Sequence, residues 1–190
     1  IEDLTADTAS DMFLEAVTGA IRRRVGRFYM MKNQRDFPED RKEGDTSTTA
    51  TTGDTRDTAR VGVLFSGGVD SVLLAALLFR VLAEEQGTDA TASIDLINVS
   101  FVGNGTYKTA SPDRLAAIAS YVQLKHLFPL CKWNLIHVDI TSDHRLEHEH
   151  RIRNMIQPCD THMDLNIGTV FWFAARGFGY LRDYSHKDVA

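Results

Sequence analysis

The sequence predicts an α/β fold, a doubly wound parallel sheet with flanking helices, and three observations lead there. Short apolar runs of strand length stand at 61–65, 94–101 and 133–140. Between them lie longer stretches whose apolar residues recur every three or four positions, the helical period. The first apolar run also turns abruptly through Gly67-Gly68 into another apolar run, Val72 to Leu82. A strand, a helix and a strand of these lengths close into a right-handed βαβ unit, which makes the sheet parallel.

Taken in order, the chain opens with a helix over 10–29, whose inward positions are Phe13, Val17, Ala20, Ile21, Val25 and Phe28. Ser10 or Asp11 is the expected cap. The Arg22-Arg23-Arg24 triplet reads as a solvated helix end rather than a phosphate grip. From 32 to 59 the chain is rich in threonine and nearly without apolar residues. Such a segment cannot bury enough surface to offset its ordering entropy and is expected to be a disordered insertion. The remainder, 60–190, is the α/β domain, with 1–31 as its first helix.

Within that domain, Val61 to Phe65 is a strand and Ser71 to Glu85 a helix with Leu74, Leu77, Leu78, Val81 and Leu82 inward. Gly87 to Ser93 is a polar turn, and Ile94 to Phe101 is the second strand. Gly103 to Pro112 is a loop, after which Ser111 or Asp113 caps a helix running to Phe128. The third strand is Trp133 to Ile140. Thr141 or Ser142 starts a helix that Pro158 ends, and an apolar helix begins at Thr169.

Composition narrows the function classes. The chain has 190 residues, 43% hydrophobic and 25% charged, enough for one domain with a sizeable core. A formal charge of −5 argues against a broad nucleic-acid surface. No run of about 18 apolar residues appears, so no membrane span is expected. Cys131 and Cys159 stand far apart and read as buried free thiols in a reducing compartment. The cytoplasm is the expected location, with the mitochondrion as the alternative.

The chemistry-bearing stretch is Ser66-Gly67-Gly68-Val69-Asp70-Ser71. Glycines let the backbone approach a ligand closely, because no Cβ stands in the way. The N–H groups of the helix start then favour an anion, usually phosphate. Ser66, Asp70 and Ser71 stand where side chains can add hydroxyl contacts or hold a metal. The spacing is neither a Walker loop, with four residues between its glycines and Lys-Ser/Thr after them, nor a Gly-x-Gly-x-x-Gly turn. Ligands of parallel sheets bind beyond the carboxyl ends of the strands, which brings Val99 and Ser100 beside this turn. His144 and His148 have ligand-like spacing, but the interleaved Arg145, Glu147, Glu149 and Arg151 read as a solvated helix face.

Ser-Gly-Gly-Val-Asp-Ser resembles the pyrophosphate loop of the N-type ATP pyrophosphatases, an adenine nucleotide alpha hydrolase-like fold. Within them the chain resembles the synthetase half of asparagine synthetase, and in particular the asparagine synthetase domain-containing proteins. The further matching pieces are Ile94 to Phe101, Ser111-Pro112-Asp113-Arg114, Ile156 to Thr161, and Val170 to Gly177. The resemblance implies that Ser66, Gly67, Gly68, Asp70 and Ser71 hold ATP phosphates and Mg²⁺, with Asp70 as the metal ligand. It implies that backbone groups of Phe65 and Val99 meet the adenine. It implies an aspartate carboxylate adenylated by ATP, with AMP and pyrophosphate released and the amide nitrogen supplied by ammonia or by glutamine from a separate glutaminase domain. The family's next strand and its Gly-rich acidic loop are expected beyond Ala190, so the sheet is read as incomplete at the C-terminus. The arginine of the family's substrate stretch is missing around Asp164 to Gly168. A non-catalytic subunit of a larger assembly is therefore the alternative to an active amidoligase.

Overall fold

The structure is a computed structural model that describes residues 6–32, 61–86, 92–102 and 111–189. The Thr-rich stretch from 33 on, the turn at 87–91 and the loop at 103–110 lie outside the described residues. The elements run α1 (Ala6–Lys32), β1 (Val61–Leu64), α2 (Val69–Gln86), β2 (Ser93–Val102), α3 (Pro112–Leu127), β3 (Lys132–Thr141), α4 (Ser142–Ile156), α5 (His162–Ala175) and β4 (Tyr180–Arg182). A short 3₁₀ turn, His186–Asp188, follows.

The four strands form one sheet in the order β1-β2-β3-β4. The first three are parallel, with Val61 opposite Ile94 and Ser93 opposite Lys132. Strand β4 is antiparallel to β3, pairing Tyr180 with His137 and Arg182 with Leu135. Period-two alternation divides the strand residues between two cores. Ile94, Leu96, Trp133 and Leu135 pack with α2 and α3 residues such as Leu78, Leu82, Ile118 and Tyr121 on one face. Ile97, Val99, Ile136, Val138 and Ile140 pack with Ile152, Leu165 and Phe173 of α4 and α5 on the other. Helices on both faces of a mostly parallel sheet are the predicted α/β architecture.

The helix starts follow local chemistry. Ser111 caps α3 by accepting from the Arg114 N–H, with Pro112 at the first helical position. Thr141 caps α4. Three expectations are corrected. Helix α1 is already helical at Ala6, so Ser10 and Asp11 lie inside it, and it runs on to Lys32. The arginine triplet is therefore not its end; Arg22 instead pairs with Glu84 of α2 at 2.5 Å. Helix α5 begins at His162 rather than Thr169, because Thr161 and Asp164 form a capping box. Strand β4 was not expected from the sequence, and its three residues are all exposed.

Both cysteines are free, but only Cys131 is buried as expected; Cys159, just beyond the end of α4, is exposed. Burial pushes the Cys131 thiol up to about 12. Among the described residues no helix is long and apolar enough to cross a membrane.

Candidate functional site

The phosphate-turn and strand-end candidates, Phe65 to Ser71 and Val99, lie at or just beyond the carboxyl ends of β1 and β2. The turn from β1 into α2 is tied down from several sides. The Phe65 N–H donates to the Ile97 carbonyl at 2.8 Å, extending the β1 ladder by one bond. The Phe65 carbonyl accepts from Asn98 Nδ2 at 2.8 Å. The Gly67 carbonyl accepts from Ser120 Oγ of α3 at 2.8 Å. The Gly68 carbonyl accepts from Ser71 Oγ at 2.9 Å and from the Val72 N–H at 3.1 Å. These carbonyls are engaged inside the protein, while the N–H groups of a first helical turn have no intrahelical acceptor. The turn thus presents positive rather than negative peptide ends, which suits an anion.

The two glycines differ in what they make possible. Gly67 has φ +82, and a Cβ there would stand 2.4 Å from the Ala116 carbonyl carbon and the Ala117 nitrogen. Its missing side chain lets the turn rest on the backbone of α3, a packing need rather than the ligand approach read from the sequence. Gly68 is exposed, and a Cβ there would meet Ser66 Oγ at 3.4 Å, an ordinary contact. Gly68 is therefore the glycine with room for a side chain, and its N–H donates to Ser66 Oγ at 3.3 Å. Ser66 is exposed, and its Oγ lies 3.3 Å from the buried Ser71 Oγ. Asp70 is exposed in the first turn of α2.

Beside the turn lies a cleft of about 340 Å³, lined by Phe65, Ser66, Asn98, Val99, Asp113 and Val170 among others. Val99 faces it for a reason that strand geometry supplies. In a parallel ladder a residue turns its N–H and C=O to the same neighbour, and successive residues alternate. Ile97 faces β1, since its carbonyl accepts from Phe65. Val99, two residues on, therefore also faces the β1 side, past the last register pair of Leu64 with Ile97. Its main-chain donor and acceptor point into the cleft. The structure thus brings Phe65, Ser66 and Val99 onto one cleft, with Gly67, Gly68, Asp70 and Ser71 in the adjoining turn.

The wall behind the cleft contains residues that spacing alone did not select. Arg114, 5% exposed, donates through Nη1 to the Asn98 carbonyl at 3.3 Å and pairs through Nη2 with Asp139. Ser100 and Ser111 hydroxyls meet at 2.9 Å. Together these bonds fix the start of α3 across the ends of β2 and β3. Burial lowers the Arg114 pKa, against the Asp139 charge that raises it. His137 is buried beside Arg114 and stacked on Tyr184, and burial, with Arg114 and Arg182, lowers its pKa to about 4. A polar residue at 98 interrupts an apolar strand pattern, which was the available signal for Asn98; Ser120 offered none.

His144 and His148 lie away from this turn and pack on Phe173, with ring centroids at 6.4 and 5.6 Å. Arg176 Nη1 donates to His148 Nε2 at 2.6 Å. Among the described residues no group of three or more His, Cys, Asp or Glu is placed to hold a metal. Asp70 stands exposed in the first turn of α2, next to the Gly67-Gly68 turn.

Sequence comparisons give this chain relatives. It is 37% identical over 123 residues to an asparagine synthetase domain-containing protein of Saccharomyces cerevisiae, covering 64% of this chain and 23% of that protein. It is 32% identical over 161 residues to asparagine synthetase domain-containing protein 1 of Gallus gallus, covering 65% of this chain and 24% of that protein. A Drosophila melanogaster protein of the same description is 37% identical over 123 residues. The chain spans about a quarter of the length of the curated relatives it matches. No protein-family model and no solved structure matches it.

Proposed function

We propose, for a chain homologous to the asparagine synthetase domain-containing proteins, that the turn at Ser66–Ser71 and the cleft beside it bind ATP with Mg²⁺. The observation that carries this reading is the Gly68 turn: an open, tied-down backbone whose carbonyls are consumed inside the protein and whose helix start faces outward. Ser66, Gly67, Gly68, Asp70 and Ser71 surround the phosphates, Asp70 meets the cation, and the main chain at Phe65 and Val99 meets the base. The Phe65 N–H is already engaged with Ile97, so its share falls to the carbonyl oxygen, which retains a second lone pair beside the Asn98 bond.

In the active form of this reading the chain adenylates a carboxylate substrate, aspartate by resemblance, for amidation with release of AMP and pyrophosphate. The cation supplies charge neutralisation at the phosphates. This chain's residues contribute placement: the bonds from Asn98, Ser120 and Ser71 hold the turn in one shape before a ligand arrives.

The alternative is an asparagine synthetase-like subunit that binds nucleotide without turning it over. The exposed apolar surface favours it. Phe178 and Tyr180 are 75% and 63% exposed, and an apolar groove lined by Met155, Phe171 and Trp172 runs between α4 and α5. Two measurements test these readings. Calorimetric titration of the chain with ATP and Mg²⁺ should give binding that Asp70→Ala weakens at least tenfold, and no heat from the intact chain would refute nucleotide binding. Pyrophosphate release dependent on aspartate and ammonia separates the active form from the subunit.

A further inference from the structure

The peptide that joins Gly67 to Gly68 is held on two opposite sides. Its carbonyl accepts from Ser120 Oγ of α3 at 2.8 Å. Its N–H donates to Oγ of the exposed Ser66 at 3.3 Å. The peptide is trans, so the two groups point in opposite directions and neither can turn without the other. The grips are unequal, the carbonyl bond being short and the N–H bond long and at the surface. A helical serine has the carbonyl four residues back, here that of Ala116, within reach of its hydroxyl. Ser120 reaches across to the turn instead. Turning this peptide over would change ψ of Gly67 and φ of Gly68 and little else. Gly67, at φ +82, accepts either orientation because it has no Cβ. Gly68 lies outside the positive-φ region and would move into it, where only glycine goes freely. No side chain therefore opposes the reversal. Among the described residues Ser120 supplies the one hydrogen bond to this peptide from another element.

We infer that Ser120 is a latch on the Gly67–Gly68 peptide: it keeps the Gly68 N–H on the Ser66 side of the turn, ready for an anion. When the bond is lost the peptide turns over and sets a carbonyl oxygen there instead. The inference rests on the nucleotide reading above and deepens it. Without the hydroxyl, the Gly67 carbonyl would stand against α3 unpaired, and the reversal relieves that cost by sending the oxygen out to water. The same reversal exchanges the positive end of a peptide dipole for the negative end where a phosphate is to sit, so attraction becomes repulsion. Ser120 touches no ligand in this scheme and acts through the peptide as a positioning residue.

Two measurements on the 190-residue chain test the latch, with urea unfolding to show that each variant is folded. The first needs no ligand. By NMR, the residue-68 amide of Ser120→Ala is expected to show exchange, a second resonance or a displaced one. Ser120→Ala placed on Gly68→Ala is expected to show none of these relative to Gly68→Ala alone, because alanine bars the reversed peptide. The second is titration with magnesium pyrophosphate, a probe that needs the turn and not the rest of the cleft. Ser120→Ala should bind it about tenfold more weakly than the wild type. On the Gly68→Ala background the same substitution should change affinity by less than about twofold. An undisturbed residue-68 amide in Ser120→Ala overturns the latch alone, as does a pyrophosphate affinity within twofold of the wild type. An equal loss from Ser120→Ala in both backgrounds also overturns it, since a role independent of the reversal would give that result. A wild type that binds no pyrophosphate overturns the nucleotide reading and this inference with it.

Discussion

Gly67 and Gly68 are adjacent, chemically identical, and do different jobs. Gly67 combines a left-handed backbone with contact against the α3 main chain, so no side chain fits there. Gly67→Ala should cost about 2–5 kcal/mol of stability, from the backbone penalty and the collision with a helix that cannot move aside. Gly68 has neither constraint. Gly68→Ala should leave the urea midpoint nearly unchanged and yet weaken nucleotide binding, because the added methyl occupies the space beside Ser66 Oγ. Urea unfolding and nucleotide titration on the two variants separate the roles; equal loss of stability in both would contradict the assignment. The sequence carries the pair but not the difference, since the partner that excludes a Cβ at Gly67 comes from α3, some fifty residues downstream.

Helices α4 and α5 meet through another glycine. A Cβ at Gly168 would stand 2.6 Å from Ile156 Cγ2 and 3.2 Å from Ile152 Cγ2, so the two helices pack as closely as this position allows. Gly168→Leu forces them apart and should cost about 1–3 kcal/mol, measured as a lower midpoint of chemical unfolding. An unchanged midpoint would mean that the pair opens without loss. At this scale much of the fold was legible. The strands at 61, 94 and 133 and the helices between them follow from apolar period, and Ser111 and Thr141 were each named from residue type as one of two candidate caps. Two elements were not. The start of α5 was hidden because its first apolar residues do not share one face, Met163 and Ile167 being exposed while Leu165 is buried, and the Thr161–Asp164 capping box outweighed the weak apolar pattern. Strand β4 exists through pairing with β3, and three exposed residues carry no local signature of it. Of the candidate site, the turn and Val99 were legible because motif and strand order both point to them. Asn98 and Arg114 act through partners distant in sequence, which spacing does not reveal.

For the molecule as a whole, the buried polar cluster at the ends of β2 and β3 sets a dependence on pH. His137 stays neutral in the folded state down to about pH 4, while in the unfolded chain it takes a proton near 6.5. Between those values the unfolded state holds more protons, so stability falls as pH falls. The loss begins near 6.5, is complete near 4, and amounts to about 3 kcal/mol at most. Denaturant unfolding across that range should show the decline, and His137→Phe, which keeps a ring against Tyr184, should flatten it. A decline of the same size in the variant would assign it to other groups, such as Asp183, whose pKa is lowered by its bonds from Lys125 and Tyr121. The sheet itself has a further consequence. Strand β2 is bonded to β1 on one edge and β3 on the other, and apolar cores cover both of its faces. Its central amides, around Leu96 and Ile97, have no route to deuterium exchange short of dismantling the domain, so their exchange rate is a direct gauge of global opening. The amides of β4, bonded on one side over three residues, exchange by local fraying, and the spread between the two strands measures how far the sheet's edge moves independently of its centre.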